Sequence, residues 1–261
     1  MIQQLLNKKV IFLTGKGGTG KTTLAAALAI VAARQRKRTL LVEVDMTRPS
    51  VEDIFGTSLS ASPSLLMERL HGVNVNFLES LRLYLTQVVG VDLLVSTILR
   101  NKVVRFFLEG TPFAREIVFL NTFYHYYEQA INSGQYDFVI VDLPSTGHAL
   151  PILTVPTGMT RMFRIGPMVK RAKILQDFLS DHRRVSLSMV TLPEEMPMNE
   201  TMEVFGRIQR DLPIELGPLF VNRMPIEDFS DAESSRLLEL RQQLKVQSLP
   251  RLLAFLDAGE E

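Results

Sequence analysis

The sequence predicts an α/β fold, a mostly parallel central sheet flanked by helices, on three observations. Short apolar runs at 9–13, 39–44, 136–141, 184–192 and 216–221 are separated by longer stretches with helical spacing. Runs this continuous suit strands covered on both faces, as parallel strands between helix layers are. The first run also leads through a glycine-rich loop directly into an alanine-rich helical stretch, the order in which a strand hands over to a helix in such sheets. At 261 residues the chain is read as one domain, 1–261, with a helical subregion at 51–133 inside it.

The loop at 15–23 reads G-K-G-G-T-G-K-T-T. Gly15, Gly17, Gly18 and Gly20 remove side-chain bulk, so successive backbone N–H groups can converge on phosphate oxygens, and Thr19 and Thr23 complete the run. The helix starting near Lys21 aims its positive dipole end at the same anion. Lys21 can reach the outer phosphates, and the Thr22 hydroxyl is placed for Mg²⁺. A nucleotide is therefore the expected ligand. The alternative is a glycine-rich strand-to-helix turn without one.

In chain order, 9–13 is the first strand and 21–35 the first helix, whose alanines allow close packing on a sheet. Arg34, Arg36, Lys37 and Arg38 sit at that helix's carboxyl end, where cations complement the dipole. The second strand, 39–44, ends at Asp45. A carboxylate there lies on the rim where open α/β sheets bind ligands.

Residues 51–133 read mostly as helix, with a short strand at 73–76 and a third helix at 113–131 after the break Gly110-Thr111-Pro112. Leu78, Leu81, Leu85 and Val88, then Val91, Val95, Leu99 and Val103, recur at helical spacing and read as core. The strand 136–141 ends at Asp142, where a carboxylate can hold the water shell of the Mg²⁺ bound by Thr22. Gly147 gives the following loop the freedom to swing towards a terminal phosphate.

Segment 158–179 mixes Met159, Met162, Phe163, Ile165 and Met168 with Arg161, Arg164, Lys170, Arg171 and Lys173. Such a surface suits either a protein client or partner, or an amphipathic helix covering the sheet. The strand 184–192 leads through Pro193-Glu194-Glu195 into a helix reaching about 210. The strand 216–221 ends at Asn222-Arg223, and further helices are expected at 232–244 and 250–258.

The loop 15–23, with Lys16 as its second residue, resembles the deviant Walker A loop of the MinD, ParA and arsenite-pump (ArsA) ATPases. The segment after Asp142, Leu143-Pro144-Ser145-Thr146-Gly147-His148, resembles the second switch of the arsenite-pump and tail-anchor-targeting ATPases. MinD and ParA proteins lack its Thr-Gly-His. The resemblance implies that ATP binds between two subunits and that Lys16 crosses to the partner's phosphates. It also implies that Asp45 opens the first switch and orients the attacking water, and that Asn222, with Arg223 beside it, reads the adenine edge. Relatives usually continue that aspartate with Pro-Ala-His, whereas Met46-Thr47-Arg48 follows here.

Composition narrows the field. Lys plus Arg number 29 and Asp plus Glu 28, so no global field attracts nucleic acid and none is expected as a partner. There is no cysteine, which excludes disulfides, thiolate metal sites and cysteine nucleophiles and fits a cytoplasmic setting. The thiolate chemistry that binds arsenite in the resembling family is thereby disfavoured. No run of about 18 apolar residues occurs, and the acidic end Asp257, Glu260 and Glu261 argues against a stable membrane anchor there.

The expectation is a Mg²⁺-dependent, ATP-hydrolysing, dimeric switch that couples ATP or ADP to a protein client, as a homodimer or with a paralogue. A nucleotide-locked scaffold and a ParA-like or MinD-like positioning ATPase are the other readings.

Overall fold

The computed structural model describes residues 2–44, 50–102, 110, 114–162 and 167–224, with 235, 236 and 239. Its centre is a seven-stranded sheet of order β3-β4-β2-β5-β1-β6-β7. The strands are β1 (Val10–Gly15), β2 (Thr39–Val44), β3 (Ser64–Met67), β4 (Leu70–Val75), β5 (Phe138–Asp142), β6 (Val185–Thr191) and β7 (Leu216–Val221). All pair in parallel except edge strand β3, which runs antiparallel to β4.

The helices are α1 (Ile2–Leu6), α2 (Lys21–Arg34), α3 (Ser50–Phe55), α4 (Phe77–Val89), α5 (Asp92–Arg100), α6 (Ala114–Glu128), α7 (Thr146–Met162), α8 (Pro167–Leu179) and α9 (Glu195–Asp211).

Alternation along the strands assigns the two faces. On one, Ile11, Leu13, Leu41, Phe138 and Ile140 pack against Ala25, Ala26, Ala29, Ala32 and Ala33 of α2. These small residues let the helix lie close to the strands, which fixes where its first turn meets the sheet. The other face is larger and more aromatic: Val10, Phe12, Leu40, Val42, Val139 and Val141 meet Phe119, Phe123 and Tyr126 of α6 and Phe178 of α8. Phe12 lies edge-on to Phe123 and Phe178, with ring centroids 5.8 and 6.0 Å away. Each phenyl ring so buried contributes about 1.5–3 kcal/mol of transfer free energy.

The region 51–133 differs from its sequence reading. The strand expected at 73–76 is β4, Leu70–Val75, and an unforeseen partner, β3, precedes it in a hairpin. Helix dominates only from Phe77 onward. Both apolar stripes read as core are split: Leu81 and Val95 are buried, but Leu78, Val88 and Val91 are exposed, and Val103 lies outside the described residues. The third helix starts at Ala114 and finishes in a π turn, Gln129–Ser133, closed by Gly134 in the left-handed region (φ 59°).

Strand β5 begins at Phe138 instead of 136, and just before it Asp137 takes Arg38 in a two-pronged ion pair of 2.8 and 3.0 Å. Strand β6 is Val185–Thr191, one residue shorter at each end than the run 184–192. The helices expected at 232–244 and 250–258 fall almost wholly outside the described residues.

Candidate functional site

Strand β1 ends at Gly15, where an added Cβ would stand 2.1 Å from the Val190 carbonyl oxygen of β6. Only glycine lets the two strands stay paired up to the point where the loop leaves the sheet. Gly17 and Gly18 are exposed and Thr19 is buried, its hydroxyl donating to the Lys16 carbonyl at 2.9 Å. Gly20 has φ 85° and caps α2 without a side-chain hydrogen bond, and no acidic side chain occupies the first turn. The helix's leading N–H groups are thus left facing the loop's concave side, as an anion requires.

Two side chains lock this loop. The Asn222 side-chain amide, just beyond β7, donates to the Thr19 carbonyl at 2.9 Å, and a Cβ on Gly20 would lie 2.4 Å from its nitrogen. The residue expected to read a base edge thus holds the glycine loop in shape. The Lys21 ammonium folds back to the Lys16 carbonyl at 3.1 Å. Burial lowers the Lys21 pKa, with the Asp142 charge opposing that shift.

Beneath the loop, the Thr22 hydroxyl donates to Asp142 Oδ2 at 2.6 Å. Asp142 ends β5 with 3% of its surface exposed, and its Oδ1 is buried without a hydrogen-bond partner. Burial pushes this carboxyl up to about 6, against the pull of the Thr22 hydrogen bond and the Lys21 charge. A buried carboxylate oxygen with no donor costs about 1–3 kcal/mol or more. Hard oxygen donors from a hydroxyl and a carboxylate, one of them unsatisfied, fit a Mg²⁺ ion with its water shell.

The other residues singled out by their place in the sequence are spread around this centre. Lys16 is half-exposed and pairs with Glu200 of α9 at 2.8 Å. Thr23 is exposed on α2, Gly147 is exposed in the first turn of α7 with His148 beside it, and Arg223 is exposed with φ 54°. Asp45 lies outside the described residues.

Glu43 was missed, because it sits inside an otherwise apolar strand. It is fully buried and stands opposite Asp142 in the β2–β5 register, so the alternation that puts Leu41 on the α2 side puts Glu43 there too. A signal existed: the carboxylate comes one residue before the end of its strand, close to where Asp142 ends β5. Glu200, 184 residues from Lys16, left none.

In segment 158–179, Met159, Val169, Ala172, Leu175 and Phe178 are core, while Arg161, Lys170 and Lys173 are exposed. Arg171 turns inward, donating to Asn121 at 2.6 Å and Gln87 at 3.0 Å and lying over the Tyr124 ring. This ties α8 to α6 and α4. Phe163, Arg164 and Ile165 are outside the described residues, and the side chains of Met162 and Met168 are likewise not described.

A strand, a glycine loop wrapped over a helix start, and a hydroxyl–carboxylate pair below it place the chain among α/β P-loop nucleotide triphosphatases. More narrowly, residues 8–175 match the model of the ArsA ATPase family, described as anion-transporting ATPase, and the chain belongs to that family.

It is 28% identical over 247 residues to a Halobacterium salinarum protein provisionally named as an arsenical pump-driving ATPase, covering 85% of this chain and 36% of that one. It is 26% identical over 232 residues to ATPase BagA of Mycobacterium tuberculosis, covering 84% of this chain and 66% of the relative. The arsenical pump-driving ATPase of Acidiphilium multivorum is 27% identical over 220 residues, which is 77% of this chain and 36% of that one. The chain thus spans about a third to two thirds of the length of these relatives. Family membership supports an ATP-binding, ATP-hydrolysing role. No helix among the described residues is long and apolar enough to cross a membrane.

Proposed function

We propose that this chain is a Mg²⁺-dependent ATPase whose ATP-bound form joins two copies, or this chain and a paralogue, and so switches the binding of a protein client. The observation that carries the reading is the Thr22–Asp142 pair at 2.6 Å, with an unsatisfied buried carboxylate oxygen under a glycine loop. Thr22, Asp45 and Asp142 would hold Mg²⁺, with Glu43 opposite Asp142 in the β2–β5 register. When bound, the ion neutralises charge on the phosphate oxygens.

Gly15, Lys16, Gly17, Gly18, Thr19, Gly20, Lys21, Thr22 and Thr23 form the phosphate cradle. On nucleotide entry Lys21 leaves the Lys16 carbonyl for the outer phosphates, and the loop N–H groups and Lys21 stabilise charge as water attacks in line. Lys16 adds a further positive charge from the partner copy, and Asp45 positions the water. Asn222 and Arg223 stand on the adenine side. Gly147 lets the start of α7 respond to the terminal phosphate, and α7 passes that response to α8, the proposed client-facing helix. What arsenic chemistry the relatives' names imply does not carry over through thiolates, since this chain has no cysteine.

The test is the molar mass of the purified chain with Mg²⁺ and a non-hydrolysable ATP analogue against Mg²⁺ and ADP. The reading expects a doubled mass, or a complex with the paralogue when that is supplied, only with the analogue. A single-chain mass in both conditions and in the paralogue's presence contradicts the pairing.

A further inference from the structure

We propose that Glu200 is a positioning residue for Lys16: it holds the lysine ammonium away from the triphosphate until nucleotide competes it off, and so sets how strongly the site prefers ATP to ADP. The inference rests on the reading that Lys16 serves a triphosphate and adds the group that restrains it.

The geometry is direct. Lys16 Nζ lies 2.8 Å from Glu200 Oε1, with 37% and 51% of the two side chains exposed. Glu200 sits in the second turn of α9, whose inward side is buried at Pro197 and Thr201, the Thr201 hydroxyl donating back to the Pro197 carbonyl at 2.7 Å. The carboxylate therefore projects from a fixed helix, whereas its partner projects from the loop that must rearrange. Both loop lysines are occupied within the chain, Lys21 on the Lys16 carbonyl and Lys16 on Glu200.

One of the three Lys16 N–H donors is committed to Glu200 at 2.8 Å, and drawing the ammonium towards a phosphate lengthens that contact. An exposed pair of this kind is weak and screened by salt, which suits a contact that triphosphate is meant to displace.

The experiment measures dissociation constants of a non-hydrolysable ATP analogue and of ADP, with Mg²⁺, for the wild-type chain, Glu200→Gln, Lys16→Ala and the double variant. Glu200→Gln is expected to tighten the analogue about two- to fivefold and leave ADP unchanged. The gain should disappear in the Lys16→Ala background and shrink at about 0.5 M salt, where the Debye length falls below about 5 Å. A purely structural role for Glu200 would move ADP and analogue together and would persist without Lys16.

Unchanged or weaker analogue binding in Glu200→Gln overturns the inference, as does an equal gain in the Lys16→Ala background. If Lys16→Ala alone binds the analogue as the wild type does, the failure lies instead in the reading of Lys16. Glu200→Asp, which keeps the charge and shortens its reach, should fall between wild type and Glu200→Gln.

Discussion

Asp137 and Asp142 bracket one strand and have opposite fates. At the amino end of β5, Asp137 takes the Arg38 guanidinium through two hydrogen bonds, and that partner holds it down at about 2. At the carboxyl end, Asp142 is buried with one hydroxyl donor and an unmet oxygen, and burial drives it up to about 6.

The same contrast extends across the sheet. Lys8 meets Glu215 at 2.6 Å at the amino ends, whereas Lys21 at the carboxyl ends is left on a backbone carbonyl. At the amino end these charged groups are each paired. The other is electrostatically incomplete in the way a site awaiting a charged ligand must be, and the unmet groups there are the stability cost of that readiness.

Changes at the two ends should therefore have opposite consequences, and the largest is at the loop. Lys21→Ala should lower the rate of phosphate release by at least about a hundredfold, as removing a group that stabilises transition-state charge does, while urea unfolding stays near wild type. Retained turnover would remove Lys21 from the phosphate site.

Asp142→Asn should separate stability from activity. Because the native carboxyl is raised above its ordinary 3.8, its penalty is absent below that value and complete once pH passes about 6. The variant should thus gain on the order of 1–3 kcal/mol at pH 7.5, lose most of that gain by pH 4, and lose Mg²⁺-dependent turnover. Urea titrations at the two pH values measure the difference. Equal stability at both would show that Asp142 is not strained by burial.

Asp137→Asn should do the reverse, and by less. Its carboxyl is depressed, so its contribution is present above the ordinary value and lost as pH falls through about 2. A small loss of stability at pH 7, with no change in phosphate release, is the expected result. A gain would erase the contrast between the two ends.

The parts of this contrast were unequally legible. Of the five strands read as apolar runs, β1, β2, β5 and β6 are buried along their whole length, which leaves no solvent face to blur them, while β7 was read from its run although it is a half-exposed edge. The β3–β4 hairpin could not: β4 carries His71 and Asn74 among its buried residues, and β3 is a short, half-exposed edge with an irregular register. Leu78, Val88 and Val91 showed helical period, yet period alone does not say whether a neighbour covers the stripe.

In the site, Thr22 and Asp142 were readable from local pattern. Their 2.6 Å contact follows from the alanine-faced approach of α2 to β5. Asn222 was read for its amide chemistry but not for its hold on Thr19, and Lys16 for its spacing but not for Glu200, because both contacts join segments about two hundred residues apart through the fold alone.

The most direct test of the incomplete end is equilibrium binding of ATP to the purified chain with Mg²⁺ and with the metal chelated, for wild type and Asp142→Asn. The account predicts that Mg²⁺ tightens ATP at least tenfold in the wild type and has little effect in the variant. Equal ATP affinity with and without Mg²⁺ in the wild type, or an undiminished Mg²⁺ effect in Asp142→Asn, would contradict it.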